Sequence, residues 1–259
     1  PPCAGKLHLT LLQSRAPGVC AQRNIALDYL AEERRRTETD SEFVVAFFDD
    51  DFRPAEDWLE QCRSAFVRHP DVAALTGQVL ADGVHGRGLS DDDARAYIAG
   101  LRVPQRHFAS GAGEREVSSV YGCNMAFRDQ VVMRCRFDER LALYGWQEDQ
   151  DYTSQAQAFG RAFYRDTCRG VHLASKSGRV SGVRFGYSQI ANPLYLVRKG
   201  TMSVVKGTRF VLRHLVSNGA RSFHADPRVD YAGRLRGNLL ALGDTLRGRC
   251  HPQRVLELQ

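Results

Sequence analysis

The sequence predicts an α/β fold: a mostly parallel sheet flanked by helices, followed by a helical, basic C-terminal segment. Three observations lead there. Strand-like and helix-like stretches alternate through most of residues 1–170, the pattern of a layered α/β domain. Residues 43–48 (FVVAFF) have no polar break, as in a strand buried on both faces of a parallel sheet. Charge is also unevenly spread. Residues 195–259 hold 12 Lys+Arg against 4 Asp+Glu, while residues 1–194 hold 24 against 26. The 259 residues are 43% apolar and 25% charged, which excludes a disordered or fibrous chain. The longest apolar run falls far short of the ~18 residues that span a bilayer.

The elements follow in order. Residues 6–12 alternate enough for a short strand, and Ala16-Pro17-Gly18 turns the chain. Residues 19–33 read as a helix with Ile25, Ala26, Tyr29 and Leu30 on one stripe. The strand at 43–48 runs into Asp49-Asp50-Asp51. Pro54 is placed as a first-turn proline, with Leu59, Cys62 and Phe66 as the buried face of the next helix. Residues 72–81 read as a strand and 82–115 as a surface excursion with a short helix from Asp91. Residues 117–121 read as a strand, 148–159 as a helix closed by Gly160, and 162–164 as a strand. Residues 175–186 read as a loop, and the chain is helical beyond Asn192-Pro193. Tyr231, Leu235, Leu239, Leu242 and Leu246 form an amphipathic stripe.

Two acidic segments stand out. Three adjacent carboxylates at the end of a buried strand repel one another, unless a divalent cation such as Mg²⁺ or Mn²⁺ sits among them. A solvated turn capping the next helix is the plainer alternative. Glu148-Asp149 begin a helix, where the macrodipole favours them. A carboxylate held ionised there could also serve as a general base. Tyr144 and Trp146 just before it suit a sugar-binding wall or a core. His172 is a candidate ligand or a structural imidazole, and Arg179 and Arg184 could clamp a diphosphate or simply carry surface charge.

Taken in order, Gln22-Arg23-Asn24, the Phe47–Asp51 run with Pro54 and Trp58-Leu59, Gly122–Arg128, Phe137-Asp138-Glu139, Gly145–Asp151 and His172 resemble the family 2 glycosyltransferases. The similarity extends through Gly186-Tyr187-Ser188 and Asn192-Pro193 to Gly237-Asn238. The resemblance implies a GT-A (Rossmann-like) fold and an inverting transfer of sugar from a nucleotide-diphosphate donor, assisted by Mn²⁺ or Mg²⁺. Asp49 would then lie against the nucleotide and Asp51 would hold the metal, with His172 as a further ligand. Asp149 would act as base on the acceptor hydroxyl, and Glu148 would orient that acceptor. Arg23 would lie near the nucleotide and Gly122 to Asn124 would line the donor sugar or acceptor; beside what the resemblance implies, Asp50 and Arg179 are further candidates for cofactor binding. Family members open with a strand, a turn, a helix and a second strand. None of that precedes Lys6, so the expected catalytic domain, residues 1–194, is N-terminally short.

Seven cysteines without a C-x-x-C pair point to reduced thiols in a cytoplasmic protein. The basic extension, residues 195–259, interleaves apolar residues with Lys199, Lys206, Arg209 and Arg213. It is read either as packed on the catalytic domain or as lying on an anionic membrane surface at the inner face. A glycan or lipid-linked acceptor is expected, and nucleic acid is not. Competing classes are a metal-dependent nucleotidyl or phosphoryl transferase and a non-catalytic sugar- or membrane-binding module.

Overall fold

The computed structural model describes residues 8–38, 41–85, 87–174, 181–223 and 229–258. The strands are β1 (Val44–Phe48), β2 (Phe52–Pro54), β3 (Val72–Asp82), β4 (Glu114–Glu116), β5 (Asn124–Arg128) and β6 (Arg161–His172). The helices are α1 (Val19–Thr37), α2 (Trp58–Arg68), α3 (Asp91–Ile98), α4 (Asp129–Val132), α5 (Glu148–Ala156), α6 (Gly182–Lys199), α7 (Val204–Ser222) and α8 (Tyr231–Leu246). All six strands join one sheet in the order β1-β5-β3-β6-β2, with β4 also paired to β6.

The chain is mixed α/β, and the sheet is mixed too, which corrects the expectation of a mostly parallel one. Only β3 and β6 pair parallel; β1–β5, β3–β5, β2–β6 and β4–β6 are antiparallel. The physical reason is the connection. Residues 83–123 leave β3 and bring the chain back beside the end of β1, where Phe48 pairs with Asn124. Because β5 starts at the end where β1 stops, it has to run backwards between β1 and β3, although β4 of the same connection pairs with β6 on the far side of β3.

Other expectations shift for local reasons. Residues 8–12 form no strand, and Leu9 and Leu11 are exposed; residues 6 and 7 lie outside the described ones. Pro54 ends the edge strand β2, where a missing N–H costs no ladder bond, and the next helix starts only at Trp58. Leu59 points to solvent, while Trp58, Cys62, Ala65 and Phe66 are buried. The strand expected at 117–121 is displaced to Asn124–Arg128, and the one at 162–164 is the start of the twelve-residue β6. The helix expected beyond Pro193 begins at Gly182 and contains that proline.

Helices cover both faces of the sheet. On one, Leu27 of α1 and Tyr152 and Ala156 of α5 pack with Phe47, Met125 and Phe127. On the other, Trp58, Cys62 and Phe66 of α2 pack with Leu75, Ala126 and Phe163. The six described cysteines are all free and buried. No helix among the described residues is long and apolar enough to cross a membrane.

The last three helices form a further layer. Lys199, at the end of α6, reaches Asp138 and Asp151 at 2.7 Å each, and Thr201 donates to Asp151 at 2.7 Å. Inside the layer, Asn218 of α7 donates to Gln189 of α6 and to Asn238 of α8, both at 2.8 Å. Asn238 in turn donates to the Gly186 carbonyl at 2.6 Å. Gly237 allows this approach, since a Cβ there would stand 2.1 Å from the Val183 carbonyl oxygen. Gly237→Ala is therefore expected to force α6 and α8 apart and cost about 1–3 kcal/mol, read as a lower thermal midpoint.

Candidate active site

The acidic turn is placed by sheet order. β1 and β2 stand at the two ends of the strand order, yet residues 49–51 join them directly in a tight turn. The Phe52 N–H closes the turn on the Asp49 carbonyl at 3.0 Å, and the Phe48 and Phe52 rings stack beneath it with centroids 5.6 Å apart. β2 then pairs Phe52 with His172, the last residue of β6, which brings Asp51 beside the imidazole. His172 Nε2 lies 3.4 Å from Asp51 Oδ1. Asp49, Asp51 and His172 each offer one ligand atom, all within 4.8 Å of one another. Carboxylate oxygens with one imidazole suit a borderline-hard divalent ion such as Mn²⁺.

Sheet register also supplies a partner for His172. β3 pairs Asp82 opposite it, and His172 Nδ1 meets Asp82 Oδ1 at 3.1 Å. The Tyr121 hydroxyl donates to Asp82 Oδ2 at 2.8 Å, and His107 Nε2 lies 3.4 Å from the same oxygen. Burial works against a charged Asp82, but hydrogen bonds from His107 and His172 hold its pKa well below the ordinary value. Burial likewise opposes a charged His172, yet its bonds to Asp51 and Asp82 push it up to about 9. A metal ligand must be the neutral imidazole, so an ion at this cluster would take the place of that proton. The Asp82 bond keeps Nδ1 engaged and turns Nε2 towards Asp51.

The second acidic segment faces the first across Arg23. The Arg23 guanidinium is buried and donates through Nη2 to Asp49 Oδ1 at 2.9 Å and to the Gly122 carbonyl at 3.0 Å. Its Nη1 lies 2.5 Å from Glu148 Oε1. Gly122 closes the connection, its N–H donating to Asp149 Oδ2 at 3.2 Å. A Cβ at Gly122 would come 2.7 Å from Glu148 Oε1, so a larger residue would have to displace that carboxylate from Arg23. The entry to α5 is equally constrained: Gly145 and Gln147 take left-handed φ values of 64° and 73°.

These carboxylates are not equivalent. Glu148 is buried and its Oε2 has no hydrogen-bond partner among the described residues. Burial, opposed by Arg23, pushes it up to about 7. Asp149 is partly exposed. Burial raises its pKa as well, opposed by the N–H groups of Gln150 and Gly122. A group that takes a proton from a substrate needs an open face, which Asp149 has and Glu148 lacks.

The other expected residues fall elsewhere. Asp50 is exposed in the turn, outside the three-ligand cluster. Arg179 lies outside the described residues. Arg184 donates through Nε to the Leu258 carbonyl at 2.7 Å. Tyr144 and Trp146 begin an aromatic wall beside Glu148. Tyr144 packs edge-on to Phe185, and Trp146 does so to Phe185, Phe210 and His214. Sequence reasoning missed Asp82, Tyr121, His107 and Lys206. Asp82 carried a usable signal, an acid at the end of a buried run, as Asp49 is. Lys206, half-buried and bonded to Gln150, carried none.

No protein-family model matches the chain. It is 27% identical over 114 residues to the glucosyl-dolichyl phosphate glucuronosyltransferase of Haloferax volcanii, a match covering 44% of this chain and 34% of that protein. The chain thus spans about a third of the length of the curated relative it matches. Among solved structures, the mannosyltransferase PcManGT from Pyrobaculum calidifontis, in complex with GDP-Man and Mn²⁺, matches at a TM-score of 0.44 and 17% identity, over 89% of this chain and 63% of that one. A197 from STIV matches at 0.41 and 18%, over 64% and 72%. At these scores neither likeness defines the fold.

Two outcomes are expected. Asp82→Ala should weaken Mn²⁺ binding about 10–100-fold, read by electron paramagnetic resonance titration, because it removes the acceptor for His172 Nδ1. Unchanged affinity would separate Asp82 from the ion site. Arg23→Met should cost about 3–5 kcal/mol in chemical unfolding, because it leaves Glu148 and Asp49 facing each other without their cation. A loss below about 1 kcal/mol, the worth of a surface pair, would show the guanidinium to be solvated.

Proposed function

We propose that the chain is the catalytic part of an inverting glycosyltransferase of the GT-A type, moving a sugar from a nucleotide-diphosphate donor to a hydroxyl of a glycan or lipid-linked acceptor. The observation that carries this reading is the connection from Asp49 through Arg23 and Gly122 to Asp149. It ties a three-ligand cluster to a partly open carboxylate through one chain of hydrogen bonds. The order of motifs shared with family 2 glycosyltransferases supports it, as does the Haloferax volcanii relative, a glucuronosyltransferase.

In this reading Asp51 and His172 hold the ion and Asp49 lies against the nucleotide. Bound Mn²⁺ or Mg²⁺ would offset the negative charge of the leaving diphosphate. Asp149 takes the proton of the acceptor hydroxyl, and burial makes it a stronger base than an ordinary carboxylate. Attack from the face opposite the diphosphate inverts the anomeric centre. Glu148, sealed against Arg23, positions Asp149 rather than touching the acceptor. Asp50 and Arg179 belong to the nucleotide side of the same proposal. Tyr144 offers an exposed ring against which a sugar can pack. Residues 1–194 make up the catalytic domain, and residues 195–259 are its basic helical extension, joined to it through α6 and Lys199. The setting proposed is cytoplasmic.

The test separates binding from transfer. Asp149→Asn should lower turnover at least about 10²-fold, the contribution of a general base, and leave nucleoside diphosphate binding with Mn²⁺ unchanged. A variant that transfers normally would remove Asp149 from the base role. Asp51→Ala should abolish the Mn²⁺-dependent thermal shift by nucleoside diphosphate, and a shift that persists would move the ion elsewhere.

A further inference from the structure

The outward face of α7 runs against the usual pattern of a surface helix. Val205, Leu212 and Val216 line it at helical spacing, with Phe223 following as the C-cap, and they are 80%, 56%, 71% and 87% exposed in that order. Arg209 falls on the same line, and Arg213 beside it. The inward face holds Gly207, Phe210, His214 and Asn218, packed on α6, α8 and Trp146. Thus the helix is seated by one side and still presents large apolar groups on the other.

Its charge is of one sign. α7 carries Lys206, Arg209, Arg213 and Arg221 and no acidic residue. Lys206 bonds to Gln150 of α5, and Arg221 donates to the Tyr231 hydroxyl at 2.9 Å. Arg209 and Arg213 are exposed and make no ion pair with any described residue. An apolar stripe bordered only by arginines matches a lipid surface that is apolar inside and anionic at its headgroups. A second copy of the helix would bring arginines against arginines. A nucleic acid would leave the Val, Leu and Phe side chains unused.

We propose that this face of α7, from Val205 to Phe223, docks on an anionic membrane surface, with its apolar side chains in the headgroup boundary and Arg209 and Arg213 on lipid phosphates. Lys206 sits on the first turn of the same helix and reaches the residue next to Asp149. A lipid-linked acceptor held at that surface would therefore approach Asp149 from the α7 side. This last step rests on the transferase reading, whereas the docking itself does not.

The experiment is vesicle co-sedimentation of the whole chain without donor or acceptor, so its result is independent of whether transfer occurs. Vesicles of phosphatidylcholine with about 30% phosphatidylglycerol should carry the protein down, pure phosphatidylcholine should not, and added salt should reverse the binding. Replacing both arginines, Arg209→Ala with Arg213→Ala, should lower partitioning about 30-fold, the combined effect of two surface charges. Val216→Ser tests the apolar part and should weaken binding with the arginines intact. All three positions are exposed, so unchanged thermal midpoints are expected to accompany the losses. Partitioning that these substitutions leave intact, no partitioning into either vesicle, or a solution dimer abolished by the same changes would each overturn the proposal.

Discussion

One buried guanidinium organises the acidic segments. Arg23 comes from α1, yet it bonds to the end of β1, to the turn before β5 and to the first residue of α5. Burial disfavours its charge, and Glu148 and Asp49 together more than offset that. The consequence is mutual. Two carboxylates that would repel each other are held in place, and neither can leave without exposing a buried ion. Since Asp49 belongs to the three-ligand cluster and the Gly122 turn holds Asp149, the distance between the two acidic segments is set by this one side chain.

The sheet does the rest. β1, β3 and β6 run in the same direction and deliver Asp49, Asp82 and His172 to one edge. β5 and β2 run the other way and begin at that edge, so the Gly122 turn and Asp51 arrive there as well. The mixed sheet is therefore no obstacle to a site at strand ends. It adds two strand beginnings to three strand ends, and the polar residues collect where the pairing stops.

Much of this was legible in the sequence, and the failures have local causes. The acidic turn after 43–48, α1, β3 and the start of α5 all follow from hydrophobic period and helix-start chemistry, which are local properties. β5 was not legible: Asn124–Arg128 is short, and its buried Asn124 looks polar in sequence. The strand expected just before it has the composition but only isolated backbone pairings, Val117 with Ala162 and Tyr121 with Asn124. Pro54 misled because a proline suits both a first helical turn and an edge strand, and only neighbours decide between them. The same limit applied to the site. Asp49, Asp51, Asp149 and His172 could be named one by one, but the Asp82–His172 contact depends on a parallel register with two bulge-like shifts after Gly77. No sequence spacing encodes that.

Every role given to Asp49, Asp51, Asp149 and His172 depends on a nucleotide sugar being consumed there. The most direct measurement is a panel of nucleotide-diphosphate sugars incubated with the protein, Mn²⁺ and short glycan or lipid-linked acceptors, scored by the nucleotide released and by the anomeric configuration of the product. The account predicts release of nucleoside diphosphate from at least one donor, dependent on Mn²⁺ or Mg²⁺, with inverted configuration in the product. Release of pyrophosphate or nucleoside monophosphate, a retained configuration, or no release from any donor would contradict it.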